Sequence, residues 1–245
     1  MRTMATDSPG FTTDRCNERK DMNRRCFLIS ASACGTGIFT RSRCLGQSRA
    51  TQPDLAKLAA GNGLRIFNRT VSSLRDGPRN GARLSEAPGD GVAYLEGTEF
   101  ANGTIELDIR GKDVQQQSFV GVAFHGVDGA TYDAVYFRPF NFRAEDPARR
   151  TRAVQYISHP TYSWQKLRAE HPGKYEQSVT PVPDPNGWFH VRVVVASPNV
   201  SVFVEDAKAP SLIVSQLSER RKGRIGLWVG NNSGGDFANL KLIPA

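Results

Sequence analysis

Short runs in which apolar and polar residues alternate recur along residues 64–245, separated by Gly, Asn, Asp and Pro every 8–15 residues. The run at 103–112 is the clearest: Ile105, Leu107 and Ile109 alternate with polar side chains. A period of two is typical of a strand with one face in a core. Many such runs with few helical patterns predict an all-β, antiparallel two-sheet sandwich.

The predicted organisation has three parts: an export signal region at 1–50, a linker or short helix at 51–63, and a sandwich domain at 64–245. One short helix is expected at about 161–170, with Thr161 as its cap, inside a long excursion at 143–187. Excursions of this length usually cover a functional surface. The predicted strands cover 64–67, 82–86, 91–97, 103–112, 119–125, 132–142, 153–159, 188–196, 200–206, 211–215, 224–230 and 235–243.

The positive charge is concentrated at the N-terminal end. The formal net charge is +8, and residues 1–50 hold nine Lys and Arg against four Asp and Glu, while the remainder holds 23 against 20. Residues 51–245 therefore carry nearly equal numbers of positive and negative side chains and no basic block, which argues against nucleic acid as a partner.

The N-terminal segment has the pattern of an export signal. Two arginines, Arg24 and Arg25, precede a short apolar run at 26–39, and the stretch 23–28 resembles the twin-arginine motif. The run is too short for a permanent membrane span. All four cysteines also lie before residue 50, so no disulfide or thiolate metal site is expected in the body. We expect an exported protein, periplasmic or extracellular in a bacterium, that starts at Met1 or Met22; an ordinary Sec signal and a lipoprotein at Cys34 are the alternatives.

The hairpin at 118–142 carries polar residues within its apolar runs. If its strands pair about the turn at 126–131, one face is core and the other combines small residues with His125, Tyr136 and Arg138. Small residues beneath a few large polar ones are typical of a groove floor. A one-residue slip would reverse both faces. The expected pairs are His125 with Tyr132, Ala123 with Ala134, Gly121 with Tyr136, and Phe119 with Arg138.

Other strands add candidates to the same groove. Trp228 alternates with glycines on the non-core face of 224–230, where it would offer a flat surface to the C–H face of a sugar. Each residue also has a purely structural alternative: a turn histidine, a Trp beneath the excursion, or an Arg paired with a carboxylate. The other candidates for binding sugar hydroxyls or closing over the ring are Gln155, His159, Trp164, Asn231 and Asp236.

Several stretches together resemble the concanavalin A-like jelly roll and, within it, the 3-keto-disaccharide hydrolase domain family, also described as family-16-glycoside-hydrolase-like or laminin-G-like. His125 stands where that family usually has Arg, and Asp133 stands for its Glu. Residues 106–111 lack the second Glu of retaining family-16 enzymes, which argues against their mechanism. The stretches are 100–108, 119–125, 132–136, 188–195 with 200–204, and 223–228 with 237–242.

The resemblance implies an enzyme that eliminates the glycosidic oxygen of a 3-keto-glycoside. A base would remove the proton beside the ketone and a cation would stabilise the enolate. His125 is the preferred base, Asp133 or His159 the alternative, and Arg138 the cation.

Two other functions remain open at this point: a non-catalytic glycan-binding module and a structural or partner-binding domain of the envelope. No cofactor or metal site is predicted, although the polar loop at 230–236 has side chains that suit either sugar hydroxyls or Ca²⁺.

Overall fold

A computed structural model describes residues 49–245. The predicted export signal, with Arg24, Arg25 and the four cysteines, lies almost wholly outside the described residues. No helix within residues 49–245 is both long enough and apolar enough to cross a membrane.

Fourteen strands in the described part of the chain form two antiparallel sheets of seven strands each. The first sheet has the order β1-β4-β13-β6-β7-β8-β9, and the second has the order β12-β11-β10-β5-β14-β3-β2. The strands are Leu64–Phe67 (β1), Val71–Asp76 (β2), Arg79–Leu84 (β3), Gly91–Phe100 (β4), Gly103–Arg110 (β5), Val120–Gly126 (β6), Tyr132–Phe137 (β7), Val154–His159 (β8), Glu176–Gln177 (β9), Trp188–Ala196 (β10), Asn199–Val204 (β11), Leu212–Ser215 (β12), Gly223–Val229 (β13) and Gly235–Pro244 (β14).

The core lies between the two sheets and follows the predicted alternation. In β10 every second residue is buried, and Phe189 of that strand meets Phe137 of the first sheet with ring centroids 5.3 Å apart. Burying one such ring contributes about 1.5–3 kcal/mol. The predicted two-sheet sandwich is therefore confirmed.

The differences from the sequence prediction include the following three. Strand β2 was missed, because VSSLRD is too polar to read as a strand until it pairs at the sheet edge with β3. Residues 138–142 leave the strand in a short 3₁₀ turn at Pro139–Asn141, as Pro139 cannot donate to a ladder. The predicted helix begins later than expected, at Trp164–Glu170 (α3), with Ser163 rather than Thr161 as its cap.

The segment predicted as a linker or short helix packs against the sandwich. It contains the helix Leu55–Ala60 (α1), which is capped by the Asp54 side chain. Leu55 is almost fully buried, and Thr51 pairs with Leu242 of β14. The ordered unit therefore includes residues before 64.

Candidate functional site

A groove of about 720 Å³ lies on the face of the first sheet that points away from the core. Buried side chains of β7, β8 and β13 form its floor: Tyr136, Ile157 and Trp228. Polar walls rise from the loops before β4, after β5 and after β13, and from the excursion that holds the helix Pro147–Arg150 (α2) and α3. The wall residues include Asp90, Gln115, Gln116, Gln117, Arg149, Arg152, His159, Trp164, Gln165, Arg168, Asn231 and Asn232.

The aromatic floor is held together by hydrogen bonds between its own side chains. The rings of Tyr136 and Trp228 lie 4.8 Å apart between centroids. The Trp228 indole donates to the Tyr132 hydroxyl at 3.0 Å, and that hydroxyl donates to Asp90 Oδ2 at 3.0 Å. Burial raises the pKa of Tyr136 to about 12, so its hydroxyl stays protonated at neutral pH.

The floor differs from the predicted stacking platform. Tyr136 and Trp228 face the groove as expected, but only 1% and 3% of their surfaces are exposed, because the two rings pack on each other and Phe119 and Arg138 lie against Tyr136. They support the groove rather than present a broad face to a ligand. The exposed aromatic ring is instead Trp164 on α3, at 40% exposure, with the Arg168 guanidinium 4.9 Å from its centroid.

Arg138 lies in the groove at the end of β7 and is deeply buried. Its guanidinium donates to the Tyr136 hydroxyl at 2.7 Å, to Gln155 Oε1, and to the Arg152 carbonyl at 2.8 Å. Glu176 Oε2 lies 3.6 Å away. Burial lowers the pKa of Arg138, and these acceptors hold the guanidinium in one orientation. Gln155 does not line the groove, so its predicted sugar contact is replaced by a positioning role.

His159 lines the groove at the end of β8, as expected for a candidate acid or base. Its ring stacks on Tyr132, with centroids 5.2 Å apart and planes 15° apart. Burial lowers the pKa of His159, and the negative charge of Asp90 opposes that shift only in part. The neutral imidazole is therefore the dominant form at neutral pH, which suits a proton acceptor.

His125 does not lie in the groove, which corrects the preferred assignment of a catalytic base. The predicted hairpin register is right from the pair Val120–Phe137 to the pair Phe124–Asp133. Beyond that point, β6 carries one extra residue opposite β13, which forms a bulge. His125 takes a φ of 51° in this bulge, so its side chain turns into the protein and becomes fully buried. Its Nε2 faces the Ala101 carbonyl at 2.9 Å and its Nδ1 faces Gln216 at 3.1 Å, so both ring nitrogens have protein partners.

The other candidate base, Asp133, lies in the same buried network. It pairs with Phe124 across the hairpin and accepts hydrogen bonds from Tyr156 and Ser218. Because no surface of Asp133 is exposed, it has no access to a ligand in the groove.

Asp236 also lies elsewhere, because the chain crosses from the first sheet to the second between β13 and β14. Its carboxylate accepts hydrogen bonds from Arg83 and Arg110 on the outer face of the second sheet. It is therefore unavailable to the groove or to Ca²⁺. Among residues 49–245, no group of three or more His, Cys, Asp or Glu side chains is placed to hold a metal ion.

Asn231, the remaining candidate, lies on the rim of the groove, and its Oδ1 accepts from the Gly89 amide at 2.7 Å. The sequence reasoning missed Asp90 and three arginines of the excursion. The run ARRTR at 148–152 was the available signal, since it brings several cations to a segment expected to cover the site. These arginines are Arg149, Arg152 and Arg168.

Comparisons with known proteins bear on the fold. No protein-family model matches the chain, and no curated protein sequence matches it. Among solved structures, the carbohydrate-binding module CBM66 from Bacillus subtilis is similar with a TM-score of 0.53 and 16% identity, covering 74% of this chain and 95% of the other. A Bacillus subtilis protein of unknown function with a galectin-like fold has a TM-score of 0.54 and 11% identity, covering 79% and 94%. The chain therefore has the jelly-roll sandwich fold of galectin-like and concanavalin A-like proteins.

Proposed function

We propose that this protein binds carbohydrate in the groove of the first sheet. The observation that carries the proposal is the combination of one exposed aromatic ring, Trp164, with a wall of hydrogen-bonding side chains around a rigid floor. Sugar rings pack their C–H faces on aromatic rings, and their hydroxyls need both donors and acceptors. The likeness of the fold to a carbohydrate-binding module supports the same reading.

The direct test is a panel of oligosaccharides measured by titration calorimetry. Trp164→Ala should weaken binding about tenfold, whereas Trp164→Phe should retain most of the affinity because a ring remains. Ile213→Ala, an exposed apolar residue on β12 of the second sheet, is the matched control and should bind like the parent. Absence of saturable binding to every glycan at millimolar concentration would refute the proposal.

A second candidate function is elimination on a 3-keto-glycoside, and the groove position of His159 favours it. The neutral imidazole would take the proton next to the ketone, the carbon–oxygen bond to the leaving group would break, and the imidazolium so formed would return that proton to the leaving alkoxide. Arg138, the predicted cation for the enolate, lies in the same groove, but its guanidinium contacts Gln155, four residues along β8 from His159, which is too far for both to act on one ketone. His125 is no longer a candidate for the base.

This candidate is tested by incubating the protein with 3-keto-glucosides and with the non-oxidised parent glucosides. Release from the keto substrate alone, lost in His159→Gln while glycan binding persists, is the expected result for an enzyme. Glycan binding without release of sugar from either substrate would show that the protein binds carbohydrate and does not catalyse the elimination.

We further propose that the protein is exported through the segment at 23–39. Fractionation of a bacterium that expresses the full chain should place the protein outside the cytoplasm. Replacing Arg24 and Arg25 by lysines should retain it inside if the twin-arginine route is used, and should leave export unchanged if a Sec signal operates.

A further inference from the structure

The groove is strongly positive at one end. Four guanidinium groups line it there, contributed by Arg138 after β7, Arg149 on α2, Arg152 after α2 and Arg168 on α3. Three of them surround one carboxylate, since Glu176 lies 2.6 Å from Arg168, 3.6 Å from Arg138 and 3.9 Å from Arg152.

The four arginines form one cluster, to which Arg149 is connected through Asn141. Its Nε donates to Asn141 Oδ1 at 3.3 Å, and the Asn141 amide donates to the Arg152 carbonyl, which also accepts from Arg138. The cluster is thus connected by short polar contacts.

The negative charge near the cluster is insufficient to balance it. Glu176 is engaged by two nitrogens of Arg168, at 2.8 and 2.6 Å, and so neutralises mainly that residue. Among the described residues that line the groove, Asp90 is the one carboxylate, and it is hydrogen-bonded to Tyr132 in the part of the floor that holds His159. The four guanidinium groups of the cluster, with the carboxylate of Glu176 among three of them, therefore leave an excess of positive charge at this end of the groove.

Donor groups in the cluster remain available for a ligand. Within the described residues, the Arg152 guanidinium makes no protein hydrogen bond, and its side chain is 42% exposed. Arg149 uses two of its nitrogens, and both donate to neutral oxygens. A guanidinium has five N–H donors in a planar fork that matches a carboxylate or a sulfate.

We propose that the ligand of the groove is an anionic glycan, with its acidic group bound by Arg149 and Arg152 and its ring packed against Trp164. The inference rests on the proposed carbohydrate function and adds the class of sugar. Buried Arg138 supplies a fixed positive charge behind the acidic group, and binding relieves the repulsion among the guanidinium groups.

The experiment compares oligosaccharides that differ only in charge: oligogalacturonate, its carboxyl-reduced counterpart, a sulfated neutral oligosaccharide and its unsulfated parent. We expect one or both acidic sugars to bind at least tenfold tighter than their neutral partners, with an affinity that falls as salt rises. Preference for the carboxylated or for the sulfated sugar identifies the acidic group.

Arg152→Gln should weaken acidic sugars about tenfold and change neutral ones little, since one charge-assisted contact is lost. Arg75→Gln, an exposed arginine of β2 on the second sheet, is the matched control. Melting temperatures establish that both variants are folded.

Equal or tighter binding of the neutral sugars would overturn the inference and leave carbohydrate binding intact. Equal binding of a polyanion without sugar, such as polyglutamate, would also overturn it. Absence of binding by every sugar would refute the proposed function together with the inference.

Discussion

Asp133 is the most informative position for testing the buried architecture, because a single isosteric change removes one charge from a closed network. Its Oδ1 accepts from the Tyr156 hydroxyl at 2.9 Å and from Arg220 at 3.2 Å, and its Oδ2 accepts from the Ser218 hydroxyl at 2.6 Å. Burial acts to raise the pKa of Asp133, but the His125 ring 3.5 Å away, the hydrogen bond from Ser218 and the charge of Arg220 outweigh it and hold the pKa below its usual value.

Asp133→Asn should lower the free energy of unfolding by about 3 kcal/mol. Removing one partner of a buried ion pair costs roughly 3–5 kcal/mol, and the lower end applies because Arg220, at 22% side-chain exposure, rehydrates in part. For a domain of this size the melting temperature should fall by about 6–12 °C. Urea unfolding followed by circular dichroism measures the first quantity, and a thermal scan measures the second.

The pH dependence gives a second check on the same variant. A carboxyl whose pKa is lower in the folded state stabilises the protein above its unfolded pKa, near pH 4, and loses that contribution as pH falls through the folded value. The difference in the free energy of unfolding between the parent and Asp133→Asn should therefore become smaller below about pH 4. Glu219→Gln, at a fully exposed side chain of the same loop, is the control and should stay within about 0.5 kcal/mol of the parent. A change below about 1 kcal/mol at neutral pH, or a gap that persists into acid, would refute the reasoning.

Three further outcomes are expected. Phe189→Ala should cost about 3–5 kcal/mol in urea unfolding, since it removes a ring that contacts two aromatic residues across the core. Gln155→Leu should cost about 1–3 kcal/mol and disturb the floor, because Tyr136 loses its buried acceptor. The pKa of His190, followed by NMR, should lie above its usual value, because a hydrogen bond to Asp108 favours the charged ring. The charged ring stabilises the fold below the unfolded pKa of His190, near 6.5, and this contribution is lost as pH rises through the folded pKa. Asp108→Asn should lower the titration midpoint of His190, and an unchanged midpoint would contradict the role of Asp108.

The candidate site was only partly predictable. The parity of the strands placed Tyr136 and Trp228 on the groove face, since alternation assigns faces without knowledge of the partner strand. Their exposure was beyond this reasoning, because it depends on which side chains of other elements pack against the two rings. The excursion carries the exposed ring of Trp164 and the arginines that give the groove its charge.

His125 and Asp236 show why alternation fails at particular residues. A bulge reverses the side chain of His125, and the bulge arises from its pairing with β13, about a hundred residues away in sequence. Asp236 follows a loop that changes sheets, so its neighbours are Arg83 and Arg110 rather than the groove.

The amino-acid pattern was enough to specify the all-β class, most strand positions, the core face of several strands and most of the register of the central hairpin. These follow from a period of two, which is a local property of the chain. Which polar residues contact one another depends instead on the folded arrangement, which buries Asp133 with Arg220, keeps His125 out of the groove and brings Arg138, Arg152 and Arg168 around Glu176. Such meetings depend on bulges, sheet crossings and the path of a long excursion, and each of these is set by contacts between distant parts of the chain.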